Sequence, residues 1–235
     1  MNTITNPFQA CLQVFIKPRE VFTTLNHKHN WSWIPFILVM LAAVLPMYSY
    51  LNFVDFAWYK HAVIELTAGD LSPAEQDSMK AMMGSQASYT TGYIIGMSLG
   101  VIAAMAVFAG YLHLVTRSDE QNLNGFTDWY GFTWWVSLPT VISCLLALLM
   151  LALSSTNQIH LIQLDIVSLS YWLGLDMSST WIAVTDLIRL DTLFSIYLTA
   201  VGISRWTQFS NRRVYLLALL PYTVILSIAL LVTLV

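Results

Sequence analysis

The sequence predicts an all-α, polytopic membrane protein with five transmembrane helices, short amphipathic N-terminal helices and a small external helix. Of its 235 residues, 57% are hydrophobic and only 10% are charged, whereas about 25% of residues are charged in an ordinary soluble domain. So few charged side chains cannot cover a surface that faces water. Five apolar stretches are also long enough for an α-helix to cross the hydrocarbon core, which takes about 20 residues. These predicted spans cover residues 31–54, 90–115, 129–153, 181–204 and 214–234.

Residues 1–30 are predicted to be a cytoplasmic amphipathic segment ahead of a transmembrane domain over residues 31–235. The segment has no long apolar run, so no cleavable signal peptide is expected and the first span would act as the insertion signal. Its apolar side chains recur at helical spacing and predict two short helices: Phe8, Cys11, Leu12, Phe15 and Ile16, then Val21, Phe22 and Leu25 after Pro18. Such helices either lie on the inner leaflet or pack beneath the bundle as a lid, because an amphipathic stripe looks the same in both cases.

The loop between the first two spans is predicted to contain a short external helix over residues 73–83. Ser72 and Glu75 have the spacing of a capping box, Pro73 suits the first helical position, and Gly84 supplies the stop. The helix has three methionines on its apolar side, which are expected to pack on the bundle rather than bind a metal because they lack Cys or His companions: Met79, Met82 and Met83.

Residues 158–176 form an apolar stretch that is too short to cross a membrane. We expect a re-entrant or interfacial segment on the outer face. A sixth crossing here would place Arg212 and Arg213 outside, against the tendency of basic residues to stay in the cytoplasm. The sequence therefore predicts five crossings.

The positions of the basic residues predict a cytoplasmic N-terminus and a C-terminus on the opposite side. Seven of the ten fall in segments that this orientation places inside, as the positive-inside rule requires: Lys17, Arg19, Lys28, Arg117, Arg205, Arg212 and Arg213. The first outer loop is acidic instead, with Asp55, Glu65, Asp70, Glu75 and Asp77.

Three ionisable residues, Asp186, Arg189 and Asp191, begin the fourth predicted span. In a helix that starts near Trp181, Asp186 and Arg189 lie on one face and can form an ion pair. Asp191 lies roughly 200° around the helix from Arg189, so it cannot also pair with the Arg189 side chain without distortion of the helix. A bare carboxylate at membrane depth would cost a few kcal/mol. Three interpretations remain open: the cluster is a structural clasp that fixes the helix, it is a site for a substrate or a proton, or the helix starts later and the cluster is exposed to water.

Other chemistry is sparse. Cys11 is predicted on the cytoplasmic side and Cys144 within a span, so these two cysteines cannot form a disulfide with one another. No metal-ligand spacing, phosphate-binding loop or hydrolase motif is present. The sequence predicts no catalytic residue, no metal, no cofactor and no nucleic-acid partner, and indicates that the protein is not an enzyme.

The order of several motifs resembles the Yip-domain family. These motifs are "NPFQACLQVFIKPREVF", "WSWIPFIL", "YGFTWWVSLPTVI" and "LDTLFSIYLTAVGISRW". The residues that match best are Tyr130, Gly131, Phe132 and Pro139, then Asp191, Phe194 and Gly202. The resemblance implies a five-span protein; eukaryotic members are named for interacting with Ypt/Rab GTPases. This chain lacks their extended N-terminal region and their aspartate-leucine-tyrosine-glycine-proline motif, so it is more similar to bacterial members and Rab binding is not implied.

Two functions are compatible with these features. The first is a non-enzymatic protein of the bacterial inner membrane that organises the lipid bilayer or partner proteins through its cytoplasmic face. The alternative is a small transporter or lipid translocator that uses a polar cavity around Asp191. Prolines within spans, at positions 35, 46, 139 and 221, could free carbonyls to line such a cavity.

Overall fold

The computed structural model describes residues 4–28 and 30–234, which fold into a bundle of α-helices without a β-strand among them. Twelve α-helices follow one another in this described part of the chain. They are α1 (Pro7–Gln13), α2 (Pro18–Leu25), α3 (Trp33–Phe53), α4 (Phe56–Ala68), α5 (Pro73–Met82), α6 (Gln86–Thr116), α7 (Phe126–Val136), α8 (Pro139–Ala152), α9 (Leu169–Trp172), α10 (Ile182–Thr185), α11 (Leu190–Trp206) and α12 (Asn211–Leu234). A single 3₁₀ turn, Leu161–Leu164, precedes α9.

Four helical stretches are long and apolar enough to cross a membrane: Trp33–Phe53, Gln86–Thr116, Phe126–Ala152 and Asn211–Leu234. They overlap the first, second, third and fifth predicted spans. The third stretch contains a break, because α7 ends at Val136 and α8 begins with Pro139 at its first position. Proline has no N–H to donate, so this break falls where the backbone hydrogen bonds must be interrupted.

The fourth predicted span, residues 181–204, is not one helix. It is divided into the four-residue α10 and the 17-residue α11, so the expectation of a continuous helix from Trp181 is wrong. Ser168 and Arg189 form an isolated antiparallel bridge, in which Leu169 N–H donates to Ile188 O (2.9 Å) and Leu190 N–H donates to Val167 O (3.0 Å). These bonds hold the backbone before α11 extended.

The N-terminal helices pack against the bundle. Val21 and Phe22 of α2 are fully buried, and Trp206 Nε1 donates a hydrogen bond to the Phe22 carbonyl oxygen (2.9 Å). Ala10 of α1 is likewise fully buried, and so is Val14, which directly follows that helix. The sequence left two placements open, on the inner leaflet or packed against the bundle as a lid. Helix α2 has the second placement.

Helix α5 begins with the expected capping box, in which the Ser72 N–H and hydroxyl both donate to Glu75 Oε2, at 2.9 and 2.6 Å. Gly84 has a φ of 65° and follows the helix end, a conformation that glycine adopts without strain. Met83 packs on the apolar cluster around Tyr50, but Met82 is 82% exposed. The expectation that Met82 packs on the bundle is thus wrong: α5 packs mainly against α4, and Met82 lies on its exposed side.

The loops gather at two opposite ends of the bundle. At one end, Asp119 Oδ2 accepts from Gln208 N–H (2.6 Å), and Asn124 Nδ2 donates to Asn26 Oδ1 (3.2 Å). We call this the basic end, because five of the basic residues lie in its loops and adjoining helix ends: Lys28, Arg117, Arg205, Arg212 and Arg213. At the other end, Gln158 Nε2 donates to Asp55 Oδ2 (3.3 Å), which joins the acidic loop to residues 154–160.

Candidate functional site

Arg189, which directly precedes α11, forms an ion pair with Asp191 in the first turn of that helix. Arg189 Nε donates to Asp191 Oδ1 (3.0 Å), and Nη2 donates to Asp191 Oδ2 (3.3 Å). The expectation that Asp191 could not share Arg189 is wrong. Because Arg189 has an extended backbone (φ −127°, ψ 146°), the 100° rotation per helical residue does not separate the two side chains.

Arg189 also bridges to a second carboxylate, which was not among the site residues predicted from the sequence. Its Nη1 donates to Asp165 Oδ2, so one guanidinium joins the loop before α9 to the start of α11. The signal for this partner was present, since Asp165 interrupts the apolar run over residues 158–176. Burial raises the pKa of the Asp165 carboxyl, with Arg189 opposing the shift.

Asp191 is only 7% exposed and receives two further hydrogen bonds. The Ser143 hydroxyl of α8 donates to Asp191 Oδ2 (2.6 Å), and Thr192 N–H donates to Oδ1 (2.9 Å). Helix α11 does start later than Trp181, but Asp191 is not wet. Every oxygen of this buried carboxylate has a donor, as a buried charge requires.

Asp186 does not pair with Arg189. It ends α10 and accepts a hydrogen bond from the Ser170 hydroxyl, which in turn lies 2.8 Å from the Ser168 hydroxyl. The pair that one continuous helix would have allowed between Asp186 and Arg189 is not formed, for the same reason as before: the residues between α10 and α11 are not helical. We define the Asp–Arg cluster as Ser143, Asp165, Asp186, Arg189 and Asp191.

Within the Asp–Arg cluster, the contacts of Arg189 and Asp191 join three pieces of chain: α8, the segment before α9, and the start of α11. The charged residues of the Asp–Arg cluster do not line any of three cavities found in the described part of the protein. Among the described residues, no group of three or more His, Cys, Asp or Glu side chains has the arrangement of a metal site. Cys11 is buried, which raises the pKa of its thiol to about 11.

Two of the motif residues, Phe132 and Gly202, form one tight contact in the core. A Cβ atom on Gly202 would lie 2.5 Å from Phe132 Cζ and 3.2 Å from Phe22 Cδ1. The Phe132 ring also packs on Phe22 and Trp206, with centroids 5.2 and 5.0 Å apart. Glycine at position 202 thus lets α2, α7 and α11 meet.

Gly131 has a similar role on the next face of α7. A Cβ there would lie 2.7 Å from the Ser32 hydroxyl oxygen, and that oxygen accepts a hydrogen bond from Trp135 Nε1 (3.1 Å). Tyr130 packs edge-on against Trp134, with ring centroids 5.7 Å apart. These contacts hold the residues before α3 against α7.

The remaining motif residues lie apart from this contact. Pro139 begins α8, and Phe194 stacks on Phe15 from the N-terminal segment with ring centroids 5.9 Å apart. Among the motif residues, Phe132, Phe194 and Gly202 therefore serve the packing of α7, α11 and the N-terminal segment on one another. Asp191, another motif residue, is part of the Asp–Arg cluster.

Long apolar helices around an aromatic core define an integral membrane protein of the helical-bundle class. The chain belongs to the Yip1 domain family, whose family model matches residues 12–234. This match covers nearly the whole chain and confirms the resemblance seen in the motifs. No curated protein and no solved structure gives a significant match.

Proposed function

We propose that this Yip-type protein is non-enzymatic and organises the membrane or partner proteins through a cytoplasmic face made of the N-terminal segment and the basic end. The observation that carries the proposal is an exposed apolar ridge on α1, in an N-terminal segment that is packed on the bundle. Exposed apolar patches held on a fixed element are typical of surfaces that bind lipid or another protein. The same surface is available to partner proteins.

The apolar ridge consists of Phe8, Leu12 and Ile16, which are 66%, 72% and 79% exposed. Their four-residue spacing places them on one side of α1 and of the turn that follows it. The opposite side is anchored in the bundle by Ala10 and Val14. The ridge is thus held in a fixed orientation, outward from the protein.

We further propose five crossings, with α11 as the fourth, in a bacterial inner membrane. Helix α11 has 17 residues and is about 25 Å long at 1.5 Å per residue, close to the hydrocarbon thickness of about 30 Å. Five crossings place residues 1–30 and the loops of the basic end in the cytoplasm, as the positive-inside rule favours. The C-terminus then lies on the periplasmic side.

The pairing within the Asp–Arg cluster supports a structural role for it. Asp191 has an ionic partner and further donors, and a carboxylate held in this way fixes the position of α11 relative to α8 and the loop before α9. A transporter that used Asp191 would need to break these bonds during each cycle. The contacts therefore favour the organising function over a translocator that uses this carboxylate.

The proposal is tested by replacing the ridge while keeping the core. Removing residues 1–27 is unsuitable, because it would delete the buried Val21 and Phe22 and destabilise the bundle. The triple substitution Phe8→Ser, Leu12→Ser and Ile16→Ser leaves those contacts intact. Proteins crosslinked to the chain in native membranes are then identified and quantified by mass spectrometry.

We expect the ridge variant to lose most of the crosslinked proteins. The matched control is Met82→Ser, which also removes an exposed apolar side chain but lies at the opposite end, and it should retain them. A crosslinked set that is the same for wild type, ridge variant and control would overturn the proposal.

A further inference from the structure

A cavity of about 450 Å³ lies at the basic end, bordered by α3, α6, α7 and the residues that precede α3. Its volume is within the range of about 300–1,000 Å³ that is usual for sites of small ligands. It does not include any charged residue of the Asp–Arg cluster, and its chemistry differs from that cluster. One part of its lining is polar and another part is aromatic.

The polar part of the lining carries one cation and one anion. Lys28 is exposed, and its Nζ lies 6.0 Å from the centroid of the Trp31 ring; no carboxylate lies within ion-pair distance of it among the described residues. Asp128 accepts a hydrogen bond from Gly125 N–H through Oδ2 (2.8 Å), which leaves Oδ1 available. Asn26 and Asn124 complete this polar part.

The aromatic part of the lining is a continuous wall. Trp33 packs edge-on against Phe36 with centroids 5.5 Å apart, and Phe36 packs in the same way against Trp134 at 4.8 Å. Trp33 is 65% exposed, and Ile102 of α6 is 36% exposed on the facing side. The wall therefore opens towards the surface that faces lipid in a membrane-embedded bundle.

We propose that this cavity binds one molecule of phosphatidylethanolamine, a phospholipid whose headgroup carries a phosphate and a primary ammonium. The phosphate pairs with Lys28, and the ammonium faces Asp128. An acyl chain lies along the aromatic wall and leaves the cavity between Trp33 and Ile102. Basic pockets between helices at the cytoplasmic side are a known setting for lipid headgroups, and a charged pair favours a charge-assisted hydrogen bond at each pole.

The charge of the lining selects between headgroups. A lipid with a net negative charge, such as phosphatidylglycerol, would satisfy Lys28 but would place no cation against Asp128. Phosphatidylcholine carries a cation without a hydrogen-bond donor, so it cannot donate to the carboxylate. Phosphatidylethanolamine satisfies both groups, and we expect it to bind most tightly.

Binding is measured by native mass spectrometry of the purified protein in detergent, titrated with each of the three lipids carrying the same acyl chains. Lys28→Gln should weaken binding of phosphatidylethanolamine about tenfold, the effect of losing roughly 1.4 kcal/mol from one charge-assisted hydrogen bond. Asp128→Asn keeps an acceptor for Gly125 N–H and should abolish the preference over phosphatidylglycerol. Lys17→Gln is the matched control, because Lys17 is exposed but outside the cavity, and it should bind as wild type does.

The aromatic part is tested by filling the cavity from its open side. Ile102→Trp should reduce binding at least about tenfold, whereas Leu99→Trp, also on the exposed surface of α6 but outside the cavity lining, should not. Binding that is unchanged in both Lys28→Gln and Ile102→Trp would overturn the site. Tighter binding of phosphatidylglycerol than of phosphatidylethanolamine by the wild-type protein would overturn the headgroup assignment.

Discussion

At the scale of single residues, glycine allows three helices to meet in the core. Gly202 offers no side chain to the Phe132 ring, and Phe22 packs against the same ring from α2. The motif pattern singled out Gly202 and Phe132, but it could not show that they touch. That information lies in the packing of α7 against α11, which has no local signature in the sequence.

Substituting Gly202 with alanine should destabilise the protein. The added methyl group must displace the Phe132 ring, and overpacking of this kind costs about 1–3 kcal/mol. Thermal unfolding in detergent should show a lower midpoint for Gly202→Ala than for wild type. The matched control is Gly100→Ala in α6, where nothing lies within 4 Å of the new Cβ; an unchanged midpoint in Gly202→Ala would contradict the contact.

The Asp–Arg cluster could be predicted from the sequence only in part. The three residues Asp186, Arg189 and Asp191 were identified from their charge in an apolar context, and Asp165 and Ser143 were not. Both missing partners are distant in sequence from Arg189. Periodicity reports which face of a helix a residue occupies, but it cannot report a contact made by a loop.

Asp191→Asn should reduce the free energy of unfolding by about 1–2 kcal/mol, because it removes a charge-assisted pair from a largely buried position. The Arg189 side chain keeps 27% exposure and its contact with Asp165, so the loss is limited. Equilibrium unfolding in mixed micelles measures the change. Asp77→Asn removes an exposed pair with Lys80 and should change the stability by less than about 0.5 kcal/mol; equal effects of the two substitutions would refute the clasp.

At the scale of elements, the N-terminal segment is part of the bundle rather than an appendage. The sequence predicted two short amphipathic helices there but left their placement open, since apolar spacing does not identify the neighbour. The buried Phe22 and the hydrogen bond from Trp206 tie α2 to α7 and α11. The family match beginning at residue 12 includes α2.

Phe22→Ala should therefore lower the free energy of unfolding by about 3–5 kcal/mol, the usual effect of truncating a buried phenylalanine. Phe8→Ala in α1 is the matched comparison, because the Phe8 side chain is 66% exposed, and it should have a much smaller effect. Denaturant titration of both variants in the same detergent compares them. If the two variants lost similar stability, α2 would not be packed as described.

The fourth predicted span is the element that hydropathy described least well. The apolar composition of residues 181–204 predicted one helix, yet the bridge between Ser168 and Arg189 unwinds the backbone before Leu190. Averaged hydropathy cannot detect this, because the cause is a pairing with a segment about 20 residues earlier. The other four predicted spans each match a long apolar helical stretch to within a few residues.

At the scale of the whole molecule, charge differs between the two ends of the bundle. The basic end has Arg117, Arg205, Arg212 and Arg213 in or beside its loops, whereas the opposite end has the acidic loop that begins at Asp55. The folded arrangement brings together loops that are far apart in sequence, through contacts such as Asp119 with Gln208. This asymmetry supports one orientation of the protein in the membrane.

The proposed crossing by α11 is tested most directly by finding on which side of the membrane the residues before and after this helix lie. Ser155 follows α8 and Ser210 follows α11, and both are exposed. Each is replaced singly by cysteine in a protein with Cys11→Ser and Cys144→Ser, and cells with a permeabilised outer membrane are treated with a membrane-impermeant maleimide. We predict that the Ser155→Cys protein reacts in intact inner membranes and that the Ser210→Cys protein reacts only after lysis. Reaction of both proteins from the same side would contradict a crossing by α11 and, with it, the cytoplasmic face on which the proposed function depends.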